Sequence, residues 1–175
     1  MKHGLAGVGD IAGADTLIDV RSPSEFAEDH LPGAINCPVL DDDERALIGT
    51  LYKQVSPFEA KKRGAALVAR NIARHLEAQF LDRPKHWAPI IYCWRGGQRS
   101  GSMVTIFRSI GWNARQLEGG YKAWRREVVA ELDVLPRQVQ ILRLLEEHSG
   151  ALLDAFTGAV ASDPESFPHY ARVGP

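Results

Sequence analysis

Residues 88–100 read APIIYCWRGGQRS. The compact apolar run closing on Ile90, Ile91 and Tyr92 is the pattern of a central strand covered on both faces. A loop carrying the adjacent Gly96 and Gly97 follows. Beyond it Met103, Val104, Phe107 and Ile110 recur at helical spacing, up to Gly111, a residue suited to end a helix. Strand, glycine loop and helix form the unit of an open α/β sheet, whose ligands sit at the carboxyl ends of the strands. Cys93 stands at that end.

The neighbours of Cys93 favour a thiolate over a thiol. Gly96 and Gly97 let the backbone curl with its N–H groups turned inward, a nest for an anion. The helix starting near Arg99 or Ser100 adds its positive end, and Arg95 and Arg99 add full charges. A thiolate so placed is nucleophilic at neutral pH. The same surroundings hold an anion carried on the sulfur: a persulfide, a selenopersulfide or a phosphoryl group. Cys93 and Arg99 are therefore the expected catalytic pair, with the planar Arg99 fork gripping oxyanions such as thiosulfate or a phosphate ester. Trp94, Arg95, Gly96, Gly97, Gln98 and Ser100 are the expected anion-binding loop. Cys37, in INCPV, lacks basic or glycine-rich neighbours and reads as a silent buried thiol.

Outward from the loop, TLIDV (16–20) is a second short buried strand. SPSEFAEDH follows, with Ser22 as a cap, Pro23 in the first turn and Glu25 at capping-box spacing. LPGAINCPV turns into another strand, and DDDERALIGTLYKQ opens with acids that favour a helix N-terminus. Residues 56–80 read as one amphipathic helix, with Phe58, Ala65, Leu67, Val68, Ile72, Leu76 and Phe80 on its apolar face. DRPKHW breaks it. NARQLEGG supplies a last strand and turn, and YKAWRREVVAEL a helix. This alternation predicts an α/β fold of three layers around a central, mainly parallel sheet. The expected organisation is one domain over residues 1–130, carrying a helical insertion at 41–80. A helical extension and poorly ordered tail are expected over 131–175.

The 175 residues are 45% hydrophobic and 25% charged, with a net charge of −1, a composition without the global field of a nucleic-acid binder. No apolar run reaches the ~20 residues of a membrane helix, and the start lacks the apolar core of a signal peptide. Two cysteines cannot make a disulfide scaffold, so both read as reduced thiols of a cytoplasmic protein.

Two blocks resemble the rhodanese family of sulfurtransferases. LIDVRSPSEFAEDHLPGAIN (17–36) is similar to its N-terminal signature, and YCWRGGQRS (92–100) to its active-site loop. LEGGYKAWR (117–125) is similar to its closing Gly-Gly turn and helix. The Cys-x5-Arg loop is one residue longer than that of single-domain rhodaneses. It matches the phosphatases and arsenate reductases of the same fold, which leaves a cysteine phosphatase or arsenate reductase as one alternative and a non-catalytic module that recruits a P-loop partner as another. DDDERALIGTLYKQVSPFEAKKRGAALV (41–68) tips the balance, because together with the loop it resembles the N-terminal half of the bacterial tRNA 2-selenouridine synthases.

That resemblance implies replacement of sulfur by selenium in the wobble 2-thiouridine of tRNA, with a geranylated uridine as intermediate and Cys93 bearing the selenium. It implies no resident cofactor; selenophosphate or a thiosulfate-like donor is the co-substrate. The family continues into a P-loop half, whose Gly-x4-Gly-Lys-Ser/Thr motif this chain lacks. Either a separate P-loop partner protein supplies it or the chain is a truncated product.

Asp19 and Arg21, at another strand's end, are expected to shape the loop through an ion pair or hydrogen bonds rather than to react. His30 reads as a local cap or packing residue. Trp94 either stacks on a flipped base or prenyl chain, or packs over the loop. Between Trp94 and Arg126 stand seven bases and one acid, Glu118, and a second basic cluster spans Lys61 to Arg74. These are either a tRNA-facing surface or a solvated face. The acids at 41–44 point in different directions on a helix, so no metal is expected.

Overall fold

The computed structural model describes residues 4–134. Strands β2 (Leu17–Asp19), β3 (Ile35–Asn36), β4 (Ile90–Tyr92) and β5 (Arg115–Leu117) fall within the four stretches read as strands. A further strand, β1 (Leu5–Ala6), and the 3-10 helix Val8–Gly13 were not foreseen, because two residues are too few to show a period. All pairings are parallel, in the order β1-β5-β4-β2-β3. The chain thus forms an α/β fold with β4 at the centre.

The helices are α1 (Pro23–Glu28), α2 (Asp42–Gln54), α3 (Pro57–Gln79), α4 (Gln98–Ile110) and α5 (Gly120–Val134). The capping box read at Ser22 and Glu25 is formed, and Asp41 caps α2 by accepting the Glu44 N–H at 2.7 Å. Gly111 ends α4 in the left-handed conformation at φ +108°.

Side-chain parity along β4 positions the site. Ile91 and Cys93 face a core with Ile18, Val20, Ile72, Met103 and Phe107, whereas Ile90 and Tyr92 face Leu31, Leu117 and Tyr121. The Cys93 side chain therefore lies on the side covered by α4. Phe80, Trp87, Phe107 and Trp112 form an aromatic cluster with ring centroids 5.0–5.8 Å apart, joining the end of α3 to α4. Such pairs contribute about 0.5–1.5 kcal/mol each beyond area burial.

Two core assignments on α3 differ from the periodicity. Phe58 is 66% exposed and Ala65 is also exposed, while Ala60, Gly64, Asn71 and Ile72 are buried. Helix α3 packs chiefly on α2, where Gly64 lies against Ile48, and small residues fill that seam, leaving Phe58 and Ala65 exposed beside it. Ile110, in the last turn of α4, is likewise 48% exposed.

The compact unit carrying the site ends at Arg126. The extension and tail read over 131–175 lie, beyond Val134, outside the described residues. Among the described residues no helix is long and apolar enough to cross a membrane.

Candidate active site

Cys93 follows β4 directly and is 3% exposed. Its Sγ accepts the Gly97 N–H and the Ser100 hydroxyl, each at 3.2 Å. Burial alone pushes the Cys93 thiol up, but the Ser100 hydroxyl, the backbone N–H groups of Ser100 and Gly97 and the charge of Arg99 outweigh it, so the thiol lies below its ordinary value. Donors, not openness, make this sulfur acidic. The first-turn N–H groups of Gln98 and Arg99 have no carbonyl within α4 to bind and extend the same positive end.

The loop's curvature depends on two glycines and a facing turn. Gly96 sits at φ +66°, and a Cβ there would stand 2.7 Å from the Leu117 carbonyl oxygen. Gly120 is tighter: at φ +60°, its Cβ would stand 2.2 Å from the Cys93 carbonyl oxygen and 2.6 Å from the Gly96 nitrogen. This closeness lets Tyr121 N–H donate to the Cys93 carbonyl at 2.9 Å and Lys122 N–H to that of Trp94 at 3.0 Å. The Gly-Gly turn is the mould of the loop.

Arg99 does not stand free. Its Nη1 donates to Glu25 Oε2 at 2.9 Å, and Arg45 Nε meets the same oxygen at 3.1 Å. Burial raises the Glu25 carboxyl, but the hydrogen bond and charge of Arg99, the Ser22 backbone N–H and the charge of Arg45 carry it below the usual carboxylate range. Glu25 therefore stays charged and holds Arg99 beside the loop. Arg95 is exposed and makes no ion pair among the described residues. Trp94 is 40% exposed and stacks on Tyr121 at 5.3 Å between centroids. It packs over the loop while keeping part of its indole open.

Asp19 and Arg21 touch the loop only through others. They form a buried ion pair, Arg21 Nη2 to Asp19 Oδ2 at 2.7 Å, and the guanidinium lies 4.1 Å over the Tyr121 ring. Tyr121 in turn donates to the Asp29 carboxylate and stacks under Trp94. His30 binds the Phe26 carbonyl oxygen at 2.8 Å and stacks on the Phe26 ring, a local packing role. Among the described residues no group of three or more His, Cys, Asp or Glu side chains could hold a metal ion.

Cys37 is fully buried, its thiol pushed up to about 12 mainly by burial, with its Sγ 3.8 Å from Gln79 Oε1. The residues that sequence reading did not place in the site are Glu25, Gln116 and Tyr121. Glu25 had a capping-box signal and a place in the stretch resembling the rhodanese N-terminal signature, neither of which points to an arginine 74 positions away. Gln116 had one faint signal, a polar residue inside a strand next to the loop's helix.

Comparison with known proteins places the chain by family and by fold. The model of the rhodanese-like domain matches residues 7–127. Similar proteins include the tRNA 2-selenouridine synthases of Nitrosomonas europaea, 40% identical over 76% of this chain and 36% of that protein, and of Cronobacter sakazakii, 41% identical over 73% and 34%. The chain thus spans about a third of the length of these curated relatives. Among solved structures, the N-terminal domain of a Clostridium difficile protein designated ATP/GTP-binding is 38% identical at a TM-score of 0.62, covering 71% of this chain and 98% of that one.

Proposed function

The chain belongs to the rhodanese-like domain family, and on that premise we propose that it is a chalcogen transferase that loads sulfur or selenium on Cys93 for the modification of tRNA. The observation carrying this reading is the sulfur itself: buried, fed by the Ser100 hydroxyl and two backbone N–H groups, and held near Arg99. With thiosulfate, the thiolate attacks the outer sulfur. A sulfur–sulfur bond forms at Cys93, the bond to the sulfonate sulfur breaks, and sulfite leaves with the bonding pair. The persulfide anion then occupies the place of the thiolate, stabilised by the same donors and by Arg99. Arg95, exposed and outside any ion pair among the described residues, is suited to meet the incoming oxyanion.

The relatives named tRNA 2-selenouridine synthase support a tRNA uridine as the acceptor. Selenophosphate as the donor and the wobble 2-thiouridine as the position belong to this reading through the family resemblance of the loop and of residues 41–68. The part of those relatives that this chain does not span is where a separate P-loop partner protein would contribute. Residues 1–130 are then the transferase domain. Of the basic residues between Trp94 and Arg126, Arg99, Arg115 and Arg125 are held in ion pairs and Arg108 binds the Ala114 carbonyl, so exposed Arg95, Lys122 and Arg126 are the ones suited to face phosphates.

Intact-protein mass spectrometry before and after incubation with thiosulfate, and separately with selenophosphate, tests this. The expected result is the added mass of one sulfur atom from thiosulfate, lost in Cys93→Ser. With selenophosphate the thiolate would attack selenium, and the selenium–phosphorus bond would break with its electron pair left on phosphorus, which departs as phosphite, adding the mass of one selenium atom. The Cys-x5-Arg loop favours a second reading, a cysteine phosphatase or arsenate reductase. Absence of any adduct, with Cys93-dependent turnover of an aryl phosphate, would establish that reading instead.

A further inference from the structure

Gln116 lies in β5, paired in register with Leu5 and Ile91, and makes no hydrogen bond to the Cys93 sulfur. Its side-chain nitrogen donates to the Gly97 carbonyl oxygen and to Ser100 Oγ, both at 2.8 Å. The orientation of the amide is forced. A carbonyl oxygen only accepts, so the NH2 end of Gln116 must face Gly97, and that one nitrogen carries both donated hydrogens.

The Gly97 oxygen also accepts the Gly101 N–H at 3.0 Å. Its two lone pairs are then both engaged. The Ser100 hydroxyl has two acceptors in reach, the Gly97 oxygen at 3.3 Å and Cys93 Sγ at 3.2 Å. With the carbonyl filled and its own oxygen already accepting from Gln116, Ser100 sends its proton to the sulfur.

The other hydroxyls of α4 show what happens without such a neighbour. Ser102 bonds to the Gln98 carbonyl at 2.8 Å, Thr105 to that of Gly101 at 2.9 Å and Ser109 to that of Ile106 at 2.7 Å. Each returns to its own helix three or four residues back, the ordinary habit of a helical hydroxyl. Ser100 alone among them also reaches outside the helix, and it alone touches Gln116.

We propose that Gln116 is a positioning residue that occupies the Gly97 carbonyl and so turns the Ser100 hydroxyl onto the Cys93 sulfur. The inference rests on the reading of Cys93 as the nucleophile and adds how its principal side-chain donor is aimed. Replacing Gln116 by an apolar residue frees the Gly97 oxygen, Ser100 reverts to it, and the thiolate loses a donor.

The test is the rate of Cys93 alkylation by iodoacetamide against pH, read by peptide mass spectrometry. The proteins are the wild-type chain, Gln116→Leu and Gln116→Met, each also in a Ser100→Ala background. Two apolar replacements of different shape guard against one that fails to fold, and thermal unfolding reports on each. The expected result is a thiol pKa raised by about 0.5–1 unit, a roughly 3- to 10-fold smaller thiolate fraction at pH below it. In the Ser100→Ala background the same replacements leave the profile where Ser100→Ala alone put it. A wild-type profile in both Gln116 variants, or an equal shift with and without Ser100, overturns the inference. An ordinary thiol profile in the wild-type chain would instead sink the reading of Cys93 on which it rests.

Discussion

Cys37 and Cys93 each follow the last residue of a parallel strand, each is buried, and both belong to the same apolar core. Their chemistry is opposite. After Cys37 comes Pro38, which has no N–H to give, and the hydrogen-bonding atom beside its sulfur is a glutamine oxygen at 3.8 Å. After Cys93 the chain curls through Gly96 and Gly97 into the N-terminus of α4, and donors converge on the sulfur. Burial pushes both thiols up, but only at Cys93 is it overcome. In this chain donors gather on a strand-end sulfur only where the next few residues bring N–H and O–H groups back to it.

The contrast can be broken most completely by Cys93→Ser, which should abolish the thiosulfate adduct while leaving the unfolding temperature near that of the wild type. Retention of an adduct would transfer the chemistry to Cys37. Next in size is the support beneath the loop. Asp19→Asn leaves the buried Arg21 without its charged partner and should cost about 3–5 kcal/mol in denaturant unfolding. A loss below about 1 kcal/mol would mean the pair does not brace the loop region through Tyr121.

Glu25→Gln sharpens the comparison by separating charge from hydrogen bonding. Removing the carboxylate leaves Arg99 uncompensated, so the Cys93 thiol should fall further and its alkylation below neutral pH should rise about 2- to 3-fold. A slower reaction would show that Glu25 matters for placing Arg99 more than for neutralising it. The smallest effect belongs to Cys37→Ala. It should leave adduct formation unchanged and cost about 1 kcal/mol of stability for a trimmed core.

The sequence was most informative where chemistry is local. The run IIYC, the two glycines and the spacing of Met103, Val104 and Phe107 placed strand, loop and helix together, because each signal lies within a few residues of the sulfur. The parts that escaped are those made by folding. Glu25 reaches Arg99, Gln116 reaches Gly97 and Ser100, and Arg21 reaches Tyr121 only after the strands are ordered side by side. No period or motif encodes such a pairing. The error on α3 has the same origin. Phe58 fits the helical period, yet the partner at that turn is another helix whose seam takes Ala60 and Gly64.

Site-resolved iodoacetamide labelling of both cysteines in the native chain, from about pH 5 to about pH 9, tests the central claim most directly. A thiol held below its ordinary value keeps its thiolate as pH falls, until pH passes the lowered pKa. Cys93 should therefore label with a midpoint below the ordinary thiol value of about 8.5, and Cys37 should stay unlabelled until denaturant is added. A Cys93 midpoint at the ordinary value, or parallel labelling of the two cysteines, would contradict it.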